Sequence, residues 1–288
     1  MASVLITGTS TGIGLETALT LGRAGHQVYA TMRNPSRSPQ LGETASREGL
    51  PIKVLVMDVD SDISVQSAIA HVYEEAGNID VLVNNAGLGR SGSVEELSLP
   101  DFRAVMETNY FGPLRCIKAV VPTMRKRKSG CIINVTSVAG RVSTSPLAPY
   151  TASKFALEAL SEVLAQEMKT FNVRVAIVEP GIIDTPMARA MDDLPGETPY
   201  QQKRRIAHMF AASLAQPVPP SLVAEKILYI IAGETWQLRH PVGPDAEPLL
   251  AWRRSITDEE YVDMNAADDD TWYRHMEQRF GRSIRPQP

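Results

Sequence analysis

The sequence predicts an α/β fold, a doubly wound parallel sheet flanked by helices. Three observations predict it. Short apolar runs alternate with segments of helical spacing over the first 180 residues. The runs show little polar alternation, as strands covered on both faces do. A glycine-rich turn joins the first run to the first helical segment. Strand and helix alternating in this way imply parallel strands joined by right-handed crossovers.

Each element has its own signal. Ser3–Thr7 is a short β-branched run and the first strand. Leu15, Ala18, Leu19 and Leu21 then share one helical face. Gln27–Met32 and 52–57 are the next strands, and Val65, Ala68, Ile69 and Val72 mark the helix that follows. Strands are expected at 81–83, 131–135 and 173–178. Between the last two, Phe155, Leu157, Leu160, Val163, Leu164 and Met168 form the longest apolar helical face. The pattern changes after Pro180. Residues 182–216 carry Pro186, Pro195, Pro199, many charges and three methionines, and are expected to form a mobile helical lid. The run from Gln216 to Pro220 holds three prolines and stops any helix. Ser221 reads as the N-cap of a helix reaching Ala232, with Gly233 as its C′ residue. Residues 241–244 suggest a last short strand and turn. One domain is expected over 1–245, then a polar, aromatic extension over 246–288. Within it, Asp268-Asp269-Asp270 reads as a solvated helix N-terminus.

Composition narrows the function. Lys plus Arg is 29 and Asp plus Glu is 33, so the formal net charge is −4. That mild acidity argues against nucleic-acid binding as the main task. A 43% apolar, 22% charged chain has the makings of a core and is not expected to be disordered. Cys116 and Cys131 are too few for a disulfide framework and read as interior thiols in a reducing compartment. The opening residues lack a signal-peptide pattern, and no segment offers about 18 apolar residues for a membrane span. A cytoplasmic location is the expectation. His26, His71, His208, His240 and His275 are scattered without ligand spacing, so no metal is assigned. The basic run Arg125-Lys126-Arg127-Lys128 suits the negative end of a helix dipole.

Four motifs carry chemistry. Thr7-Gly8-Thr9-Ser10-Thr11-Gly12-Ile13-Gly14 lies where a strand gives way to a helix. Glycines permit a tight turn and close backbone approach, and a helix N-terminus offers N–H donors to a dinucleotide phosphate. The second strand ends in Met32-Arg33-Asn34, with no acid to accept from a ribose 2′-hydroxyl. Arg33, helped by Ser10 and Thr11, suits a 2′-phosphate, which selects NADP(H) over NAD(H) while leaving NAD(H) possible. Asn84-Asn85-Ala86-Gly87 follows the fourth strand; its amides can tie strand ends, and its small residues leave room for a flat cofactor. Finally, Ser137 ends the fifth strand, and Tyr150 and Lys154 stand four apart at a helix start marked by Pro149. A free tyrosine titrates near pH 10. An ammonium within about 4–6 Å would lower that by roughly 1–3 pH units and make the phenol a general acid or base. Ser137 could hold a substrate carbonyl and stabilise charge growing on its oxygen.

In order and spacing these motifs resemble the short-chain dehydrogenase/reductase family, over roughly residues 2–245. The resemblance implies a Rossmann-type fold, a nicotinamide cofactor, and hydride transfer to or from an alcohol or carbonyl substrate. It implies catalytic Asn109, Ser137, Tyr150 and Lys154, with Asn109 kinking its helix and holding a water that links Lys154 to solvent. It implies cofactor contacts from Gly8, Ser10, Thr11, Gly12, Ile13, Gly14, Arg33, Asp58, Val59, Asn85, Ala86, Gly87, Tyr150, Lys154, Pro180, Gly181, Ile183 and Thr185, with Asn84 structural. Segments 28–33, 85–89 and 152–158 look most like the 17β-hydroxysteroid and retinol dehydrogenase branch, so an apolar substrate is expected. Its wall would come from 88–92, 138–147 and the lid, where Met187, Met191, Met209, Phe210 and Leu214 offer an adaptable surface. A homodimer or homotetramer is also implied. The extension could cover such an interface or the mouth of the site. The alternative function is a catalytically silent NADP(H)-binding sensor, which would bind cofactor and turn nothing over.

Overall fold

Valine, leucine and isoleucine dominate the strands because both sheet faces are covered. The computed structural model describes residues 1–191, 197–233, 236–281 and 284–285. Seven strands form one parallel sheet: β1 (Ser3–Thr7), β2 (Gln27–Met32), β3 (Ile52–Val56), β4 (Val81–Asn84), β5 (Gly130–Val135), β6 (Val173–Pro180) and β7 (Arg239–Val242). Their order is β3-β2-β1-β4-β5-β6-β7. The helices are α1 (Gly12–Arg23), α2 (Gln40–Glu48), α3 (Asp62–Ala76), α4 (Leu99–Met106), α5 (Gly112–Arg127), α6 (Ala148–Lys169), α7 (Pro186–Arg189), α8 (Gln202–Leu214), α9 (Ser221–Ala232), α10 (Ala246–Arg254), α11 (Asp258–Ala266) and α12 (Asp269–Phe280). A π-turn (Glu107–Phe111) separates α4 from α5.

The period of two along each strand sorts its side chains between two cores. Val4 and Ile6 of β1, with Ile133 of β5, pack on Leu19 and Leu21 of α1 and Val223 and Ile227 of α9. Leu5 and Ile132 point the other way, onto Ile69 and Val72 of α3, Ile117 and Val120 of α5 and Leu164 of α6. Each fully buried aliphatic side chain is worth about 1.5–3 kcal/mol against exposure. Such double burial is why the strands carry no polar alternation. Strand order reverses between β1 and β4, and the crevice at their carboxyl ends is where ligands of open α/β sheets bind.

Several sequence expectations need correction. β3 is an edge strand, and its last residue, Val56, is 63% exposed, so it is not covered on both faces. Phe155 and Val163 of α6 point to solvent, while Leu157, Leu164 and Met168 form its buried face. The last strand begins at Arg239 rather than Pro241. Pro220 is the N-cap of α9 and Ser221 its first residue; Gly233 ends it in an extended conformation rather than a left-handed one. Of the lid expected at 182–216, residues 192–196, Pro195 among them, lie outside the described residues, as do 282–283 and 286–288 of the extension.

The extension folds back over the sheet's carboxyl end. Ala246, Leu250, Trp252 and Tyr261 cluster with Val138 and Val142. Trp272, Tyr273, Met276 and Ile284 pack against Met209 and Ala212 of α8. The tie between α8 and the extension is Arg205, only 2% exposed. Its guanidinium donates to Asp269 at 2.7 Å, to the carbonyls of Asn265 and Ala267 at 3.1 and 2.7 Å, and to Gln201 at 2.9 Å. The acidic run is therefore more than a solvated cap: Asp268 caps α12, while Asp269 holds the buried arginine. Arg205→Met is expected to cost about 2 kcal/mol, because the Ala267 carbonyl loses its donor and Asp269 and the Asn265 carbonyl keep only the weaker contacts of Arg204 and Gln202. Urea unfolding of the full chain measures this, and a change under about 0.5 kcal/mol would show that the tie contributes little.

Candidate active site

The carboxyl ends of β1 to β6 open on one cavity of about 350 Å³, within the range of small-ligand sites. The glycine loop forms its floor. Gly8 has a φ of +71°, and a Cβ there would lie 2.6 Å from Ala86 Cα. Gly14 is packed tighter: a Cβ would meet Gly8 O at 2.2 Å and Asn85 Nδ2 at 2.5 Å. Thr11, the N-cap of α1, makes no side-chain cap, and the first turn holds no acid, so the helix presents its N–H groups and positive dipole to the cavity.

Asn85 has a structural role that the sequence did not reveal. It lines the cavity, yet its Nδ2 donates to the carbonyls of Thr7 and Gly8, both at 2.9 Å. The Thr7 hydroxyl in turn accepts from the backbone N–H groups of Asn85 and Ala86. The Asn85 amide thus ties β4 to the glycine loop, a structural task expected of Asn84 alone. Asn84 donates to Asn134, which donates to Ser161, a buried chain linking β4, β5 and α6.

At one end of the cavity stand Arg33, Asp58, Val59 and Asp60. Arg33 is exposed and makes no ion pair among the described residues. Asp58 also closes a local turn, its Oδ1 accepting from the Asp60 N–H at 3.1 Å. Sequence reasoning missed Asp60, which accepts from the Thr108 hydroxyl and whose carboxyl is raised above the usual range by burial.

At the centre, Ser137, Tyr150 and Lys154 converge on the same space. Ser137 Oγ accepts from the Ala139 N–H at 3.1 Å and faces the Pro180 carbonyl at 3.4 Å, which holds it at the end of β5. Tyr150 and Lys154 are successive turns of α6, and Lys154 Nζ lies 5.6 Å from the Tyr150 ring centre. Nζ donates to the Val135 carbonyl at 2.9 Å. Burial draws Lys154 down to about 8 and pushes the Tyr150 phenol above its ordinary value, with the Ser137 hydroxyl acting in the opposite sense on the phenol. The expected lowering of the phenol by the ammonium is therefore not present in the protein alone. Desolvation is the largest influence on both groups.

The other end is apolar. Leu88, Gly89, Val138, Val142 and Leu147 join Met187, Met191, Met209 and Phe210 of the lid. Leu214 does not line it. Leu249 and Ile284 of the extension do, which the sequence left undecided.

Comparison with known proteins agrees with this arrangement. A family pattern described as short chain dehydrogenase matches residues 2–194. The chain belongs to the short-chain dehydrogenase family. It is 36% identical over 261 residues to a 3-ketodihydrosphingosine reductase of Bacteroides thetaiotaomicron, covering 88% of this chain and 91% of that one. It is 36% identical over 270 residues to retinol dehydrogenase 8 of Bos taurus, covering 86% and 84%. The structure of an actinorhodin polyketide ketoreductase with NADPH superposes with a TM-score of 0.74 at 29% identity, covering 83% of this chain and 95% of that one.

A short-chain dehydrogenase is an oxidoreductase that binds a nicotinamide cofactor and acts on a small molecule. The residues here fit that cofactor: the glycine floor, the uncapped α1 N-terminus, and the walls at Ala86, Gly87, Pro180, Gly181, Ile183 and Thr185 all face the cavity. Ser10, Thr11, Gly12 and Ile13 line it as well. Thr185 caps α7 through the Ala188 N–H, which leaves its hydroxyl proton available. Asn109 is the one expected catalytic residue that does not line the cavity. It is fully buried in the π-turn, with its amide bonded to the Leu88 backbone at 2.7 and 2.9 Å and to the Ser153 hydroxyl at 2.9 Å. Sequence reasoning also missed Asp245, whose Oδ2 accepts from the Ile182 N–H beside Gly181. No helix among the described residues is long and apolar enough to cross a membrane.

Proposed function

We propose that this chain catalyses reversible hydride transfer between NADP(H) and a secondary alcohol/ketone or an aldehyde of apolar, steroid-, retinoid- or lipid-like character. The observation that carries the reading is the meeting of Ser137, Tyr150 and Lys154 midway between a glycine-floored phosphate cradle and an apolar wall. NADPH when bound supplies the hydride, and NADP⁺ accepts it. Ser137 Oγ orients the substrate oxygen. Tyr150 Oη gives that oxygen a proton in reduction and takes it back in oxidation. Lys154 holds the cofactor ribose and adds positive charge beside the phenol. Asn109 acts from behind the wall, fixing the Leu88 backbone and the start of α6. The relatives that reduce a ketodihydrosphingosine and oxidise retinol support an apolar substrate, as do the lid methionines. A cytoplasmic homodimer or homotetramer belongs to the same reading, associating through the helices where Phe111, Phe155 and Val163 are exposed.

NADPH oxidation against a panel of apolar ketones and aldehydes tests the activity. NADPH binding without turnover of any member would instead establish the silent sensor. Cofactor choice has its own test. Arg33→Ala is expected to weaken NADPH about tenfold, the low end for an exposed charge-assisted hydrogen bond, and to leave NADH unchanged. Equal losses for both cofactors, measured by fluorescence titration, would remove Arg33 as the selector.

A further inference from the structure

Behind Lys154, outside the cavity, lies a buried group of charges that the reading above does not use. Glu158 follows Lys154 by one turn of α6 and is 4% exposed. Its Oε1 accepts from the Thr136 hydroxyl at 2.7 Å, and its Oε2 accepts from Arg239 Nη2 and Nε at 3.1 and 3.2 Å. Glu179 of β6, fully buried, meets the same arginine at 3.6 Å and Arg141 at 3.4 Å. The second oxygen of Glu179 has no hydrogen-bond partner among the described residues. Glu162, one turn further along α6 and half exposed, also binds Arg239. Glu247 of α10 adds a negative charge facing Glu179. A carboxylate buried this deeply is costly unless it compensates nearby positive charge. Arg239 is shared among Glu158, Glu162 and Glu179, and Arg141 pairs with Glu179, so the three carboxylates outnumber the two guanidinium groups; Lys154 is a further buried cation, one turn of α6 from Glu158.

We propose that Glu158 is a positioning residue for hydride transfer: its buried carboxylate, one turn behind Lys154 and clamped by Thr136 and Arg239, is the counter-charge of the buried Lys154 ammonium. The sign is consistent. Burial and the neighbouring Glu179 raise Glu158 to about 7, so it is largely anionic above that pH. Lys154, drawn down to about 8 by burial, is supported upward by that anion. Without it, a larger share of Lys154 would be neutral near pH 7, and its help to the Tyr150 phenol would weaken. The consequence for turnover rests on the function proposed above; the charge coupling does not.

The test is a pH titration of cofactor-free protein carrying 13C at lysine Cε, followed by NMR, with Lys154→Met assigning the signal. In Glu158→Gln the Lys154 midpoint is expected to fall by about one pH unit, a tenfold loss of ammonium stability. Glu162→Gln, which removes an exposed charge from the edge of the same group, should leave the midpoint in place. An unchanged midpoint in folded Glu158→Gln overturns the proposal, as does an equal fall in Glu162→Gln. The unaltered protein supplies a second measurement should Glu158→Gln fail to fold. Coupled groups titrate together, so the Lys154 signal should show two inflections, and a single one overturns the coupling. If the coupling holds, the pH profile of kcat in Glu158→Gln moves to lower pH in parallel. NADPH binding without turnover would defeat the proposed reaction and leave the titration as it stands, so the two failures are separately visible.

Discussion

Tyr150→Phe is expected to slow turnover by about 10²–10⁴-fold in both directions, the usual contribution of a positioned general acid–base group. The ring stays, so its packing in the cavity wall stays, and only Oη is lost. NADPH affinity should therefore change by less than about threefold, since the phosphate cradle and Lys154 are untouched. Folding stability should change by less than about 1.5 kcal/mol, because at most one neutral hydrogen bond of the hydroxyl is lost. Steady-state rates with the best carbonyl of the panel, beside NADPH titration and a thermal melt, give the three readings. Turnover within tenfold of the parent protein would assign proton transfer elsewhere and leave Ser137 and Lys154 without their proposed partner.

The second large effect is expected at Gly14. A methyl there would sit 2.2 Å from Gly8 O and 2.5 Å from Asn85 Nδ2. Those two atoms are hydrogen-bonded to each other, so neither can retreat without opening the loop. Gly14→Ala is expected to weaken NADPH by at least about 100-fold and to cost about 1–3 kcal/mol of stability, the penalty of overpacking a rigid site. Gly42→Ala in α2 is the matched control, because nothing lies within 4 Å of a Cβ there. In a helix interior that change should stabilise by about 0.5–1 kcal/mol with no effect on cofactor. Similar NADPH affinities in the two variants would mean that the floor of the cavity is not a phosphate cradle.

Much of the fold was legible because strand burial leaves a direct trace. Val4, Leu5 and Ile6 are apolar in succession only because both faces of β1 are covered. The same logic failed at β3, where an edge strand kept a similar composition while Val56 faced solvent. It failed again on α6, where Phe155 and Val163 continue the apolar spacing on a face that the single chain leaves open. Of the catalytic and cofactor-binding residues expected, all but Asn109 line one cavity, although they come from the ends of six strands and the start of α6. They were legible because every motif but the Tyr150–Lys154 pair of α6 sits at the carboxyl end of a strand, and parallel strands bring those ends to one side.

What a motif could not convey was what each side chain is bonded to. Asn85 matched a cofactor-facing pattern, yet its amide hydrogens are engaged by Thr7 and Gly8. Four-residue spacing placed Lys154 beside Tyr150, but the balance between attraction and desolvation depends on how deeply the pair is buried. Glu158, Glu179, Arg141 and Arg239 come from four distant parts of the chain and show no spacing that joins them.

By itself the sequence determined the strands of the sheet, the glycine-rich turn between β1 and α1 and the serine, tyrosine and lysine that meet in the cavity, since these follow from local periodicity and short motifs. Only the tertiary structure decided the electrostatics around Lys154 and the closure of the apolar end by Leu249, Ile284 and the Arg205 tie. The reason is physical: strand and turn preferences act between near neighbours in the chain, whereas desolvation and packing depend on which remote segments come to lie together.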